Sequence, residues 1–167
     1  MFIKAETRKD FQAIEALARE IWTEHYVPII GEVQVKYMLD MFQSEKAIAE
    51  QIKKGFLYYI IEEDGQLIGY LGVHPRGKEL FLSKIYVKSS ERRKGFGQKA
   101  MTFIENLAAE GKMDKITLTV NRNNLDSIKA YKKMGFEKVG EILQNIGNGF
   151  VMDDYKMQKK IQSHPAG

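Results

Sequence analysis

Apolar residues change rhythm several times along this chain, and each change predicts an element. Phe2 to Ala5 alternates like a short strand, and Thr7 with Asp10 three positions later reads as the capped start of a helix. Ile14, Leu17, Ala18, Ile21 and Trp22 then recur at three- and four-residue steps, giving that helix one apolar stripe. A second helical stretch covers Val33 to Phe42. Ser44 suits the N-cap of a third, Glu45 to Lys54, which Gly55 closes. The period then drops to that of strands. Phe56 to Glu62, the turn Glu63-Asp64-Gly65, and Leu67 to Val73 predict a hairpin, and Leu80 to Val87 is apolar, aromatic and β-branched enough for a strand covered on both faces.

Beyond a polar, basic interval the helical period returns in Ala100, Met101, Phe103, Ile104, Leu107 and Ala108, with Gly111 in the position of a C-cap. Ile116 to Val120 reads as a strand. Asn123 or Asn124 can cap the helix after it, Gly135 can end that helix in the left-handed conformation, and Phe136 begins another strand. Ser127, Ala130 or Tyr131, and Met134 share one face of this helix. Lys156 to Lys160 and the final Ser-His-Pro-Ala-Gly read as a frayed end. No repeat or low-complexity linker interrupts the pattern, so the expected organisation is one domain over 1–160 and a C-terminal tail over 161–167.

Composition narrows this picture by exclusion. No run is long and apolar enough for a membrane span, and Met-Phe-Ile-Lys is not a signal peptide, so a cytoplasmic protein is expected. The absence of Cys removes a disulfide framework, a thiolate nucleophile and any Cys-based metal site, and no metal is expected. The net charge of +4 is mild, and its 26 basic residues form no continuous stripe with interleaved aromatics, which argues against nucleic acid as a partner.

The basic residues matter most between Glu91 and Ala100, in Glu-Arg-Arg-Lys-Gly-Phe-Gly-Gln-Lys-Ala. Gly95 and Gly97 let the backbone turn its N–H groups outward, the helix start adds unpaired donors and a positive dipole end, and Arg92, Arg93, Lys94 and Lys99 add full charges. A polyphosphate fits there. A nucleotide P-loop does not, because Gln98 follows Gly97 where Lys and then Ser or Thr are needed. Gly95-x-Gly97-x-x-Ala100 formally matches a dinucleotide fingerprint. In that fold, however, the strand runs almost directly into the first Gly, whereas Lys88 to Lys94 intervene here, and the next strand ends in Asn121 rather than a ribose-binding carboxylate.

Arg92-Arg93-Lys94-Gly95-Phe96-Gly97 resembles the coenzyme A loop of the GNAT acyltransferases, and Val120-Asn121, Asn124, Tyr131 and Gly135-Phe136 resemble the second half of the same core. The close likeness covers roughly Leu80 to Phe136. It implies an α/β (α+β) GNAT fold: a mixed central sheet of six to seven strands with an antiparallel N-terminal half and splayed fourth and fifth strands, flanked by about four helices. It implies acetyl-CoA as cosubstrate, with pantetheine along Ile85, Tyr86 and Val87, pyrophosphate on the N–H groups of Arg93 to Gln98 near Arg92, Lys94, Gly95, Phe96 and Gly97, and further contacts from Asn124, Ser127 and Lys133. Tyr131 matches the family's proton donor to the departing thiolate.

The resemblance stops at the general base. Ser83 stands where many relatives have Glu, and Glu24, His25, His74 or a water chain remain as candidates. The acceptor is read from two places. Trp22, Tyr26 and Pro28 to Gly31 fall where relatives form an acceptor wall between the first two helices, and Asn148 to Met157 resembles the last hairpin of polyamine and diamine acetyltransferases. Glu24, Glu32, Asp153 and Asp154 could receive a cationic amine. A small polyamine-like amine leads as substrate, with a protein N-terminus or lysine, or a non-catalytic coenzyme A-binding module, as alternatives. Dimerisation is common in the superfamily but has no signature in this chain.

Overall fold

The computed structural model describes residues 1–161. In chain order the elements are β1 (Phe2–Lys4), α1 (Arg8–Ile30), α2 (Glu32–Phe42), α3 (Glu45–Lys53), β2 (Leu57–Glu63), β3 (Gln66–Arg76), β4 (Glu79–Val87), α4 (Phe96–Glu110), β5 (Lys115–Asn121), α5 (Leu125–Lys133), β6 (Glu137–Gly147) and β7 (Phe150–Lys160). The hydrogen-bonded strand order is β1-β2-β3-β4-β5-β7-β6, with β4 and β5 parallel. This is the mixed α/β architecture expected, with five helices among the described residues rather than about four.

The chain divides into two compact units, one of Met1–His74 with Lys84–Ala100 and one of Pro75–Ser83 with Met101 onward, so the division passes through β4 and α4. In the first unit the antiparallel strands β1, β2 and β3 carry a core of Ile14, Ile21, Ile48, Tyr58, Ile61, Tyr70 and Leu71. The β2–β3 turn takes the expected hairpin form, with positive φ at both Asp64 and Gly65. Helix α1 begins with the predicted capping box, in which Thr7 and Asp10 each accept from the other's backbone N–H. It extends further than the apolar stripe suggested. Pro28 lies inside it, and Gly31, at φ 87, stops it.

In the second unit Leu80, Leu82, Met101, Ile104, Ala108, Ile116, Leu118 and Met157 are buried. The β4–β5 ladder is short: Glu79, Leu80 and Phe81 pair with Lys115, Ile116 and Thr117, and the pairing ends although both strands continue. Strand β7 pairs along all of β5, from Lys115↔Lys160 to Asn121↔Asp154.

That pairing corrects the frayed reading of Lys156 to Lys160, because these residues are the last rungs of a ladder with Met157 1 % exposed. Of the tail over 161–167 only Ile161 is described, its N–H donating to Asp114 O, and the rest lies outside the described residues. At the end of α4, Gly111 does not take the left-handed conformation. Lys112 does, at φ 56, while a Cβ on Gly111 would lie 2.9 Å from Met113 Cε, so the glycine serves a close approach there.

Candidate active site

In the first unit, β4 leads into a single 3-10 turn, Ser89–Glu91, in which Glu91 N–H donates to Lys88 O. Arg93 (φ 66) and Gly95 (φ 80) then both adopt the left-handed region, and the first bond of α4 runs from Lys99 N–H to Gly95 O. The preceding turn, Phe96 to Gln98, therefore presents the amide end of the helix. Phe96 is 8 % exposed and anchors that turn, while Arg92, Arg93, Lys94, Gln98 and Lys99 are exposed around it. Arg93 in a conformation that side chains rarely adopt marks a loop shaped for a purpose. The amide end of the helix, its dipole and the exposed cationic side chains nearby are groups that suit the pyrophosphate of a coenzyme.

Helix α1 holds the start of this loop. Glu20 pairs with Lys88 at 3.2 Å, and Ser89 donates to Glu24 at 2.8 Å, which places the Glu24 carboxylate at the loop entrance. Lys94 is drawn to Glu91 at 3.0 Å, and Arg92 Nε reaches back to Val87 O. Beneath lies an aromatic cluster: Trp22 packs on Tyr26 (5.3 Å) and Tyr86 (5.5 Å), and the hydroxyls of Tyr26 and Tyr86 share a 2.9 Å hydrogen bond. Trp22 Nε1 donates to Tyr70 OH, Tyr70 OH to Gln43 Oε1, Gln43 Nε2 to Tyr58 OH, and Tyr58 OH to Gln51 Oε1. Burial pushes the Tyr58 hydroxyl up to about 12 and Tyr70 well above the ordinary value, so both stay protonated.

Two more features of this unit were not legible beforehand. A Cβ on Gly69 would lie 2.2 Å from Tyr86 O, so only glycine lets β3 approach the Ile85–Val87 stretch this closely. Burial also lowers the Lys84 ammonium to about 8, one residue before that stretch. Of the base candidates, His74 stacks on Phe56 at 4.2 Å with Nε2 3.3 Å from Lys54 O, and His25 packs edge-on to Tyr26 at 4.7 Å.

In the second unit, Asn121 ends β5 and organises the turn into α5. Its side-chain oxygen accepts from Asn123 N–H, and its carbonyl accepts from Asn124 N–H. Asn124 occupies the N-cap position but makes no side-chain capping bond, and it is 3 % exposed. Tyr131 and Ser127 are half-buried, Lys133 is exposed, and the Tyr131 ring meets Phe136 at 5.7 Å. Gly135, at φ 100, ends α5 as expected.

The two carboxylates of β7 part company. Asp153 Oδ1 lies 2.9 Å from Arg122 Nε, a charge contact without the alignment of a hydrogen bond, and Arg122 also approaches Glu141 at 3.7 Å and the Tyr155 ring at 5.3 Å. Asp154 is 1 % exposed, and its Oδ1 has no hydrogen-bond partner among the described residues. Burial pushes its carboxyl up to about 6, the neighbouring Asp153 charge adds to that, and a hydrogen bond from Thr119 works against it.

The first unit thus gathers Trp22, Glu24, Tyr26, Tyr86 and the loop Arg92–Gln98. The second gathers Asn124, Ser127, Tyr131 and Lys133 on α5, with Asp153 and Asp154 on β7. No group of three or more His, Asp or Glu side chains suited to a metal ion occurs among the described residues, and no described helix is long and apolar enough to cross a membrane.

The family model of the GNAT acetyltransferases matches residues 13–136. A 5-NmdU N-acetyltransferase of Pseudomonas phage PaMx11 is 31 % identical over 121 residues, covering 68 % of this chain and 81 % of the relative. A spermine/spermidine N(1)-acetyltransferase of Bacillus subtilis is 27 % identical over 115 residues, covering 62 % and 76 %. In fold, the chain is similar to the PaiA N-acetyltransferase of Thermoplasma acidophilum, solved with coenzyme A: TM-score 0.79, 20 % identity, 96 % of this chain and 99 % of that one.

Proposed function

Because the chain belongs to the GNAT acetyltransferase family, we propose that it transfers acetyl from acetyl-CoA to a primary amine, with a small polyamine-like amine as acceptor. The loop carries the reading: Arg93 and Gly95 take the left-handed conformation just ahead of α4, whose amide end stands among exposed cationic side chains. Acetyl-CoA supplies the thioester. Arg92 to Gln98 hold its pyrophosphate, and the backbone of Ile85, Tyr86 and Val87 holds its arm.

Asn124, with Ser127 and Lys133 on the same helix, steadies the coenzyme from α5. A backbone N–H at Ile85 or Tyr86 stabilises the oxyanion that forms when the amine adds to the carbonyl. Tyr131 gives its proton to the departing sulfur. The acceptor wall is formed by Trp22, Tyr26 and Glu24 on α1, with Asp153 and Asp154 supplying negative charge for a cationic amine. The likeness to the spermine/spermidine enzyme of Bacillus subtilis supports a polyamine over a peptide acceptor. A cytoplasmic location, where acetyl-CoA and polyamines are both available, completes the proposal.

Incubation with acetyl-CoA and a panel of spermidine, diamines, aminoglycosides and peptides, read as thiol release, tests it. Release with spermidine or a diamine is expected. Tight coenzyme binding with no release from any amine would overturn the enzyme reading in favour of a binding module.

A further inference from the structure

Gly69 and Gly72 both lie in β3, and neither takes a positive φ. Any need for glycine at these positions is therefore a need for room. What borders the room differs. A Cβ on Gly72 would meet the Tyr58 ring, its nearest carbon at 3.2 Å, and a side chain can yield the few tenths of an ångström required. A Cβ on Gly69 would meet backbone: Tyr86 O at 2.2 Å, Val87 Cα at 3.0 Å and Tyr86 C at 3.2 Å. The peptide joining Tyr86 to Val87 is thus seated on the bare Cα of Gly69.

The surroundings hold that seat in place. Ile61 pairs with Gly69 but Glu62 pairs with Leu67, so β3 carries Ile68 as an extra residue beside the glycine. The carbonyl of Ile68 accepts from Lys88 N–H at 2.8 Å, which ties β3 to the chain just past Val87. The Tyr86 ring packs on Trp22 at 5.5 Å and on Tyr70 at 5.6 Å, and its hydroxyl shares a hydrogen bond with that of Tyr26. All of these residues belong to the first unit.

Peptide geometry decides which way the donor faces. In a planar trans peptide the oxygen and the following Cα lie on one edge, and the N–H lies on the other. Tyr86 O and Val87 Cα are the atoms nearest the site of the missing Cβ, so the Val87 N–H points away from β3. No rung of the β4–β5 ladder reaches it there, because that ladder ends at Phe81.

We propose that Gly69 is a positioning residue for the coenzyme: the seat it gives the Tyr86 carbonyl aims the Val87 N–H at the pantetheine arm. This rests on the coenzyme-binding part of the reading above, in which the backbone from Ile85 to Val87 holds that arm. The amide carbonyls of pantetheine are the acceptors such a donor requires. A methyl at position 69 pushes Tyr86 O from 2.2 Å to ordinary contact at 3.4 Å or beyond, a shift of about 1 Å. The planar unit carries its N–H along, and a hydrogen bond loses its geometry over such a distance. The loop Arg92–Gln98, at the pyrophosphate, is left untouched.

Gly69→Ala, with Gly72→Ala as its control, tests the assignment through binding, so the acceptor need not be known. Coenzyme A and 3′-phospho-ADP, which is the coenzyme without its arm, are titrated calorimetrically against wild type and each variant. Gly69→Ala is expected to weaken coenzyme A about tenfold, as losing one hydrogen bond with a stranded donor does, and to leave 3′-phospho-ADP within about threefold of wild type. Gly72→Ala is expected to leave both ligands within about threefold. Coenzyme A bound by Gly69→Ala within about threefold of wild type overturns the assignment. So do equal losses for the two ligands, a matching loss in Gly72→Ala, or a Gly69→Ala chain that does not fold, because the glycine would then serve the sheet alone. A wild type that binds neither ligand overturns the coenzyme reading and this assignment with it. A wild type that binds coenzyme A but releases no thiol with any amine removes acetyl transfer and not this assignment, which the titration decides.

Discussion

The buried polar groups of the first unit and those on the last strand obey opposite accounting. In the first unit Trp22, Tyr70, Gln43, Tyr58 and Gln51 form a chain in which donor meets acceptor from α1 to α3. In the second, Asp154 is as deeply buried as Gln43, each 1 % exposed, yet one oxygen is unmatched and the neighbouring Asp153 charge repels it. A matched network fixes geometry, in this case the α1 wall that carries Trp22 and Tyr26. An unmatched carboxylate costs stability.

Breaking the matched side has the largest expected effect. Gln43→Leu leaves Tyr70 OH without its acceptor and Tyr58 OH without its donor inside the core. The expected loss is about 3 kcal/mol, or roughly 6–12 °C in thermal midpoint, at one to three kcal/mol per orphaned group. A loss under about 1 kcal/mol in urea titration would show that the network is incidental.

The same substitution class on the unmatched side carries the opposite sign. The Asp154 carboxyl is raised from 3.8 to about 6, so the folded protein binds more protons than the unfolded chain between those values. Stability therefore falls as pH rises through that window and stays reduced above it, by up to about 3 kcal/mol. Asp154→Asn recovers part of this, about 1–3 kcal/mol at pH 7, and flattens stability between about pH 4 and 6. Equilibrium unfolding across that range checks both the sign and the window.

The sequence made one side of this contrast easier to read than the other. Helical stripes, the capping box at Thr7, the Asp64-Gly65 turn and the Arg92–Gly97 loop are local signals, and local backbone chemistry decides them. Asp153 and Asp154 could be named only as a pair. Alternation puts them on opposite faces of a strand, but which face is buried depends on pairing with β5, a long-range fact. The ladder was itself hidden, because Lys156, Lys159 and Lys160 masked an edge of alternation in which Met157 alone is fully buried. Gly69 was equally silent: its need for glycine comes from Tyr86 O on the neighbouring strand. Trp22 was legible as part of the α1 stripe, but the Gln43 side chain that locks the network looked like an ordinary polar residue after a helix.

Tyr131 sharpens the contrast from the chemical side. Its ring packs on Phe136, so Tyr131→Phe keeps the packing and removes only the hydroxyl. Turnover is expected to fall at least about tenfold, close to 1.4 kcal/mol, with coenzyme affinity near wild type and little change in stability. Single-turnover kinetics alongside coenzyme titration separate these quantities, and unchanged turnover would remove Tyr131 from the chemistry.

The smallest effect is expected where charge is matched but exposed. Arg122 contacts Asp153, Glu141 and the Tyr155 ring, and looks on paper like the tie that holds β7 to the β5–α5 turn. Its side chain is 36 % exposed and that of Asp153 45 %, so solvent screens the pair. The turn is also held by Arg122 N–H donating to Asp153 O, which a side-chain change leaves intact. Lys138, 3.1 Å from Glu141 and 3.9 Å above Tyr155, keeps a cation in place. Arg122→Gln is therefore expected to cost less than about 1 kcal/mol in urea titration. A loss above about 2 kcal/mol would mean that this exposed ion cluster, and not the ladder with β5, secures the strand on which Asp154 stands.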